Sequence, residues 1–368
     1  MQIVLKRCSL ASQSIPVIKV QGAPYRRGLA HGRKCGDLIQ RYPEILLQVM
    51  RLEAGWRALD ANACLPDRDG LLARAMKFLP SLDAFAPHLV EEVRGIADGA
   101  GLSFAEALLV NVRAEVMGLT TPDQFCTAFA LGRSATANRS VLSGQNLDQH
   151  PLNRDLMIIL HVEPDGGPAM LMCTFAGLVG YPGINSMGVS FFQNALSTKS
   201  WRAHAMPHYF FKRALLEQAD VHGCLSLAKR AQVCSSANYV LTDREGTLSD
   251  LEMTPDGMVS LEPDNDILVH TNHFRSSTLI PEEALLQIIP DSTRRMARME
   301  QLLSSRRGRI TLDDSKNALA DHQDSPVAIC RHQASVETIA AIVAEPEQGL
   351  LHVAAGQPCS SEFVTYSL

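Results

Sequence analysis

The sequence lacks several features that mark large classes of protein. It has no uninterrupted apolar run of about 18 residues, so no membrane-spanning helix is expected. Aromatic residues make up only 5% of the chain, which gives little support to an aromatic-rich ligand pocket. Its 34 Lys and Arg residues do not outnumber its 39 Asp and Glu residues, and the net charge is −5. A nucleic-acid-binding protein usually carries a basic face, so that class is not indicated.

Paired cysteines are also missing. The 368 residues contain nine cysteines, an odd number, and no two of them are spaced Cys-x-x-Cys. This pattern argues against a disulfide framework and against a zinc ribbon. The first 12 residues have no apolar core that would make them a secretory signal. We therefore expect a cytoplasmic protein whose thiols are mostly small buried hydrophobic groups.

Most short motifs with a known chemistry are absent. There is no Gly-x-Gly-x-x-Gly, no phosphate-binding loop, no His-Glu-x-x-His and no Gly-x-Ser-x-Gly. The pairs His204/His208 and His270/His273 are weak metal candidates, since a site needs three or four ligands and no third is evident. We expect neither a metal nor an organic cofactor.

The pattern of the sequence changes near residue 120. After a strand at Val17–Val20, the front part has the periodicity of helices, with one helix over Gly28–Trp56 interrupted at Pro43. Another helix begins at Ser103, which can form a capping box with Glu106. We expect this helical front part to pack on the rest of the chain.

After residue 120 short strands dominate. Strands are predicted at 126–131, 141–146, 156–162, 169–175, 188–194, 237–242 and, as a final hairpin, 338–343 and 350–354. Helices are predicted between Pro207 and Val233, at Glu282–Ile289 and at Arg294–Leu303. Grouped strands with grouped helices favour an α+β fold of stacked antiparallel sheets flanked by helices.

One cysteine lies where the helical and strand-rich parts meet. Cys126 heads a strand, and Asp148 follows 22 residues later on what reads as the returning strand. Two adjacent antiparallel strands can bring these side chains together. The same pattern also fits an ordinary half-buried cysteine and a turn carboxylate, so the spacing alone leaves both interpretations open.

Motifs along nearly the whole chain resemble the acyl-coenzyme A:isopenicillin N acyltransferase family, which belongs to the N-terminal-nucleophile hydrolases. The segments that carry the resemblance are Gly22–Gly28, His31-Gly32, Cys126-Thr127, Gln145–Asp148, Gly183–Gly188, Asn194, His270–Phe274, Ser292 with Arg295 and Arg298, Ile329–His332, and Ala355–Cys359.

The resemblance implies a four-layer αββα sandwich, with two antiparallel sheets between helical layers and a helical N-terminal segment packed on it. It also implies a precursor that cuts itself before Cys126. Residues 1–125 would then form a mostly helical propeptide or α chain, and residues 126–368 the catalytic β chain. The penicillin-forming family member has Gly before its cysteine, whereas this chain has Phe125.

The implied enzyme hydrolyses or transfers an acyl group at a small amide, such as an N-acyl amine, an N-acyl amino acid or a dipeptide-like compound, with acyl-coenzyme A as one acyl donor. By resemblance, Cys126, Asp148, Asn194, Asn272 and Arg295 are the expected catalytic residues. Thr127 and Ser292 are the expected substrate-binding residues. A free amino terminus on Cys126 would act as the base, so His273 is expected to be structural.

Two alternatives stay open. Cys330 is a rival nucleophile because His332 would share its strand face, although no Asp or Asn partner is evident. The second alternative is a catalytically silent member of the same fold that binds a small ligand or a protein. A homodimer of processed heterodimers is compatible with the sequence, and no nucleic-acid or membrane partner is expected.

Overall fold

The structure of the protein is a computed structural model that describes residues 15–57, 67–116 and 125–368. The predictions made for the first 12 residues, and those for Cys8 and Cys64, lie outside the described residues. Within the described part, none of the helices combines the length and the apolar character needed to cross a membrane.

The front part begins with a strand and continues as helices. These elements are β1 (Val17–Gly22), α1 (Pro24–Arg57), α2 (Arg68–Met76), α3 (Leu79–Phe85), α4 (Pro87–Ala100), α5 (Phe104–Asn111) and α6 (Arg113–Val116). The predicted capping box is confirmed, because Ser103 and Glu106 bond reciprocally at the start of α5. The predicted interruption at Pro43 is wrong: α1 runs through this residue. Tyr42 and Leu46 on either side of it are buried, so tertiary packing offsets the lost backbone hydrogen bond.

Helices α1 and α4 cross at a contact between glycines. A Cβ atom added to Gly28 would lie 1.9 Å from the Glu92 carbonyl oxygen, and one added to Gly95 would lie 2.1 Å from the Tyr25 carbonyl oxygen. Gly32 and Gly99 repeat this close approach one turn further on. Only glycine permits backbones to meet at this distance, which fixes how the two longest front helices pack.

The strands form two sheets. The first contains, in spatial order, β1, β4 (Met157–Pro164), β5 (Met170–Phe175), β6 (Gly183–Asn185), β7 (Ser190–Ala195), β8 (Ala237–Thr242), β9 (Leu248–Thr254) and β10 (Gly257–Leu261). The second contains β11 (Ile267–His270), β2 (Phe125–Leu131), β3 (Leu142–Gln149), β12 (Glu337–Glu345), β13 (Leu350–Ala355) and β14 (Phe363–Ser367). Neighbours pair antiparallel except β1 and β4, which are parallel, so the front part contributes an edge strand to the first sheet.

The two sheets face each other and helices cover their outer sides. Ser143 on β3 shares a hydrogen bond of 2.7 Å with Ser190 on β7, across the space between the sheets. Helices α1, α7 (His208–Leu216) and α8 (Val221–Arg230) pack on the first sheet. Helices α9 (Ser292–Ser304) and α10 (Leu312–Leu319) pack on the second. The predicted four-layer αββα sandwich is therefore confirmed.

One predicted helix is wrong. Residues 282–289 form turns instead, after a 3₁₀ turn at Ile280–Glu282. Pro281 and Pro290 bracket the segment, and the Glu283 carboxylate accepts hydrogen bonds from the backbone N–H groups of Leu285 and Phe274. Side-chain-to-backbone bonds of this kind compete with helical ones.

Candidate active site

Cys126 is the second residue of β2, a strand that lies between β11 and β3. Alternation along the strand directs Cys126, Ala128 and Ala130 into the core between the two sheets. Phe129 and Leu131 belong to the second core, under α9 and α10. The thiol therefore lies on the inner face of its sheet, and the Cys126 residue is completely buried.

The backbone of Cys126 is held on both sides by polar side chains. Its N–H donates to Asn272 Oδ1 at 3.0 Å. Its carbonyl oxygen accepts from Asn194 Nδ2 at 3.0 Å and from Arg295 Nη1 at 2.8 Å. Asn194 is the penultimate residue of β7 in the opposite sheet, Asn272 follows β11, and Arg295 lies on α9 (Ser292–Ser304). Side chains from three separate parts of the fold therefore meet at this one residue.

The Arg295 guanidinium connects most of this cluster. Besides the Cys126 carbonyl, it donates to Thr127 Oγ1 at 2.9 Å, to Asn272 Oδ1 at 2.9 Å and to Asp291 Oδ2 at 2.7 Å. Its side chain is only 2% exposed. A planar fork with five N–H donors suits a site where several acceptors converge from different directions.

Ser292, at the start of α9, holds the turn that carries Asn272. The Ser292 hydroxyl accepts from the Asn272 N–H at 2.7 Å and bonds His273 Nδ1 at 2.8 Å. The structure thus places Ser292 beneath the turn, as a support for Asn272. Burial lowers the pKa of His273 to about 4, and the ring is neutral at physiological pH.

Asp148 lies on the outer face of the second sheet, opposite to the direction of the thiol. It is paired with Phe125 across β2 and β3, and its carboxylate accepts from Thr338 Oγ1 at 2.6 Å. The Arg331 Nε atom lies 3.7 Å from the second carboxylate oxygen, and Arg331 also forms an ion pair with Asp291. In the intact chain the Cys126 N–H is bonded to Asn272, so Asp148 joins the cluster through Arg331 and Asp291.

Burial shifts the two titratable groups that matter most. It raises the pKa of the Cys126 thiol to about 12, with a further contribution from the negative charge of Asp148. Burial likewise raises the pKa of Asp148 to about 6, although Arg331, Arg295 and Thr338 oppose this shift. At neutral pH the intact chain therefore holds a protonated thiol near a largely ionised carboxylate.

The other candidates from the sequence are separated from this cluster. His208 bonds the Tyr239 hydroxyl and Ser235, whereas the His204 ring packs on Phe78, so these two histidines do not converge. His270 forms an ion pair with Glu252. Cys330 does lie close to His332, with Sγ and Nε2 3.4 Å apart, and the same His332 nitrogen also lies 3.5 Å from Cys359 Sγ.

A sequence model of the family described as acyl-coenzyme A:6-aminopenicillanic acid acyl-transferase matches residues 134–360. The acyl-coenzyme A:6-aminopenicillanic-acid-acyltransferase 40 kDa form of Emericella nidulans is 30% identical over 251 residues, 67% of each chain. This chain belongs to that acyltransferase family.

Two further proteins are similar to this chain. The beta-alanyl-dopamine/carcinine hydrolase of Drosophila melanogaster is 24% identical over 270 residues, 66% of each chain. The solved structure of the Caenorhabditis elegans N-acylethanolamine-hydrolyzing acid amidase ortholog aligns with a TM-score of 0.46 and 18% identity, covering 66% of this chain and all of that one. Membership in the family makes the chain an enzyme of acyl transfer or of hydrolysis at carbon–nitrogen bonds.

Four residues around Cys126 and Arg295 were not expected from the sequence to have a role in the site: Lys212, Asp291, Arg331 and Thr338. Lys212 lies in α7, where all nine residues are buried, and its ammonium lies 4.3 Å from the Tyr209 ring centroid. Burial and the nearby Arg113 lower the pKa of Lys212 to about 7. Lysine is rarely buried, and Lys212 follows three aromatic residues, Tyr209, Phe210 and Phe211, which was the available signal in the sequence.

The thiol of the intact chain is closed off from solvent. Two surface cavities stand out in the described residues, one of about 170 Å³ between α9 and α10 and one of about 360 Å³ beside Ala23 and Glu217; Cys126 lines neither. The adjacent Phe125 is half-buried and packs against Ala195, Leu285 and Ile289. The Phe125 side chain thus fills an apolar recess next to the nucleophile candidate.

Proposed function

We propose that the chain is a self-processing cysteine amidohydrolase or acyltransferase. The bond between Phe125 and Cys126 breaks, and Cys126 then attacks a small amide through its thiol. The observation that carries this proposal is the clamp on the Cys126 backbone: Asn272 on its N–H, with Asn194 and Arg295 on its carbonyl oxygen. An ordinary strand residue needs no such clamp of buried side chains.

Cleavage would change the chemistry of Cys126. In the intact chain its nitrogen is an amide and its thiol, with a pKa near 12, is protonated. After cleavage the same nitrogen becomes an α-amine, whose ordinary pKa is about 7.7–8.0. This amine lies within the same residue as the sulfur, so it can accept the thiol proton directly. No separate histidine base is needed, which agrees with a neutral His273.

The reaction follows from this proton transfer. The Cys126 thiolate attacks the acyl carbon, and the carbon–nitrogen bond of the substrate breaks as the α-ammonium group returns its proton to the leaving amine. The acyl group is then held as a thioester on Cys126. Water takes it in hydrolysis, or an acceptor amine takes it in acyl transfer, and the thiol is restored.

The two asparagines are suited to stabilise the charges of this reaction. Asn194 Oδ1 is a buried oxygen without a hydrogen-bond partner among the described residues, and it is available to accept from the new α-amine. The Nδ2 groups of Asn194 and Asn272 bond backbone carbonyl oxygens in the intact chain. We propose that these amide groups keep their backbone bonds and, since each carries two hydrogens, also donate to the oxyanion, where a single donor contributes about 3 kcal/mol.

The position of Phe125 indicates where the acyl group binds. During self-cleavage the Cys126 sulfur attacks the Phe125 carbonyl carbon, and the peptide bond breaks as the thiol proton passes to the Cys126 nitrogen. Water then hydrolyses the resulting Phe125 thioester, which releases the Phe125 carboxylate and restores the thiol, so the Phe125 carbonyl is the first acyl group that the thiol holds. Its side chain lies against Ala195, Leu285 and Ile289, with the Arg331 guanidinium 5.4 Å from its ring centroid. We propose that the acyl group of the substrate, an N-acyl amine, N-acyl amino acid or dipeptide-like amide, occupies this recess after Phe125 leaves.

The surroundings of the enzyme are part of the same proposal. All seven cysteines in the described residues are free, which suits a reducing compartment such as the cytoplasm. Acyl-coenzyme A remains a proposed acyl donor, because the family and the Emericella nidulans relative are named for it.

Denaturing mass spectrometry of the purified protein tests the proposal. The wild type should give a fragment that begins at Cys126, and the Cys126→Ala variant should stay intact. Cys224→Ala, which changes another buried free cysteine, should cut like the wild type. A wild-type chain that stays whole under all conditions would contradict the self-processing mechanism and favour the catalytically silent alternative.

Amine release tests the second half of the proposal. The processed protein is incubated with a panel of N-acyl amines, N-acyl amino acids and dipeptides, with and without acyl-coenzyme A. Release should require Cys126 and should be lost after alkylation of the thiol. Release that persists in Cys126→Ala would assign the chemistry to another residue, with Cys330 the first to examine.

A further inference from the structure

Four metal-ligating side chains meet at a site away from the Cys126 clamp. His322, Cys330 and His332 lie on the loop that joins α10 to β12, and Cys359 lies in the turn that joins β13 to β14. Their four ligand atoms all lie within 4.8 Å of one another. Cys330 is buried and the other three are exposed, so the cluster sits at the surface with one ligand in the core.

The distances match a tetrahedral centre. With metal–nitrogen bonds of about 2.0–2.1 Å and metal–sulfur bonds of about 2.3 Å, tetrahedral angles place two nitrogens about 3.3 Å apart and a nitrogen and a sulfur about 3.5 Å apart. His322 Nε2 and His332 Nε2 are 3.0 Å apart. Cys330 Sγ and Cys359 Sγ are 3.4 and 3.5 Å from His332 Nε2. The ligand atoms therefore already surround a point that a small cation can fill.

We propose that His322, Cys330, His332 and Cys359 form a structural zinc site. Two thiolates and two imidazoles are a donor set that zinc favours, and four protein ligands leave no open position for a substrate or a water molecule. No metal was expected from the sequence, because the ligand spacing, His-x₇-Cys-x-His followed by Cys 27 residues later, is not that of a zinc finger or ribbon.

The principal alternatives explain less of the geometry. A disulfide between Cys330 and Cys359 would use both sulfurs but would leave two imidazole nitrogens directed at the same point. A Cys330–His332 nucleophile pair would leave the second cysteine and the second histidine without a function. Only a shared ligand accounts for all four side chains together.

A metal here would fix the loop that reaches the Cys126 clamp. Arg331 lies between two of the ligands in the sequence, and its guanidinium extends to Asp291 and towards Asp148. The loop is otherwise held by backbone bonds such as that from the Cys330 N–H to the Asp321 carbonyl oxygen at 3.0 Å. Zinc would bind this loop to the β13–β14 turn and so hold Arg331 in place as a positioning residue.

Metal analysis of the purified full-length protein tests the site. Inductively coupled plasma mass spectrometry should find about one zinc ion per chain, as expected for a single site. Cys359→Ser and His322→Ala should each lose most of it, whereas Ser360→Ala, in the same turn as Cys359, should keep it. Circular dichroism and a urea unfolding curve for each variant separate loss of metal from loss of fold.

A second measurement uses the unmodified chain. Replacing zinc with cobalt(II) should give visible d–d bands of a tetrahedral centre and a near-ultraviolet band from thiolate-to-cobalt charge transfer. Bound zinc should also protect Cys359, which is exposed, from alkylation, and a chelator should remove this protection. A metal-free protein that fails to bind added zinc or cobalt, a Cys330–Cys359 disulfide, or zinc retained by both ligand variants would each overturn the proposal. None of these results depends on cleavage at Cys126, so this site and the proposed function can fail separately.

Discussion

Removing the Arg295 fork should destabilise the intact chain and slow its self-processing. Arg295→Met keeps the length of the side chain but removes the charge and all the donors. The four acceptors are Asp291, the Cys126 carbonyl oxygen, Thr127 and Asn272. We expect this substitution to have the largest effect of any single change on α9.

The expected loss of unfolding free energy depends on which hydrogen bonds each acceptor keeps after Arg295 is replaced. Breaking a buried ion pair by removing one partner costs about 3–5 kcal/mol. Here Asp291 retains Arg331, the Cys126 carbonyl oxygen retains Asn194, and Asn272 Oδ1 retains the Cys126 N–H. Three of the four acceptors are therefore still bonded, which puts the expected loss of unfolding free energy near the lower end, about 3 kcal/mol. Arg295→Lys keeps the positive charge but not the planar guanidinium, and it should lose less unfolding free energy than Arg295→Met.

Two assays separate stability from positioning. Urea unfolding is measured in the Cys126→Ala background, where the chain stays whole and a single transition can be analysed. Self-processing is measured with Cys126 present, as the rate at which the Cys126-led fragment appears. We expect Arg295→Met to slow this rate at least about tenfold, because small displacements of reacting groups cost large factors in rate. The exposed neighbour Arg294 provides the control, and Arg294→Met should change stability by less than about 0.5 kcal/mol.

Either of two results would refute this reasoning. If Arg295→Met costs no more unfolding free energy than Arg294→Met, the buried fork does not stabilise the chain. If it destabilises the chain but leaves the processing rate unchanged, the clamp on the Cys126 carbonyl oxygen has no part in the reaction.

Three further predictions concern other buried groups. Burial lowers the pKa of His31 to about 4, of His208 to about 3 and of His273 to about 4, so at these positions the unfolded chain binds more protons below pH 6.5, whereas the raised pKa of Asp148 acts in the opposite direction. The fall in unfolding free energy from pH 6.5 to 4 should therefore be smaller in His31→Gln than in the wild type, by up to about 1.4 kcal/mol per pH unit, and equal pH dependence of the two urea midpoints would contradict this. Phe125→Ala should slow self-processing and leave turnover by the processed enzyme unchanged, as measured by fragment appearance and amine release; a fall in turnover would mean that Phe125 stays in the site. Lys212→Met should slow processing up to roughly tenfold, since its charge lowers the thiol pKa, and an unchanged rate–pH profile would exclude this effect.

Much of the fold could be predicted from local patterns. The β8 strand at Ala237–Thr242 and the capping box at Ser103 were both correct, because each depends on residues close together in sequence. The continuous helix through Pro43 and the turns at 282–289 were not predicted, because packing by distant elements and the Glu283 carboxylate decide them. The parallel pairing of β1 with β4 joins residues that are far apart in the sequence, so no local pattern predicts it.

The candidate site was predictable only as a set of residue types. The resemblance named Cys126, Asn194, Asn272 and Arg295, and the structure brings these four into direct contact. The resemblance could not show which atom each of these residues contacts. Asp291, which links Arg295 to Arg331, was not foreseen, because an aspartate that precedes a helix is ordinary as a sequence pattern.

The alternation along β2 determines what the charged cluster can do. Because Cys126 points between the sheets, whereas Asp148 and Thr127 lie on the outer face with Arg295, the Arg295 side chain bonds the backbone of Cys126. Cleavage before Cys126 would release one end of that backbone and leave the carbonyl end held by Asn194 and Arg295. The new amino group and the thiol could then turn about a fixed carbonyl anchor, which exposes the sulfur without moving the strand. Under the proposed function, the clamp on the backbone would therefore serve both states of the chain: it holds Cys126 in a regular strand before cleavage and would provide the pivot for the thiol afterwards.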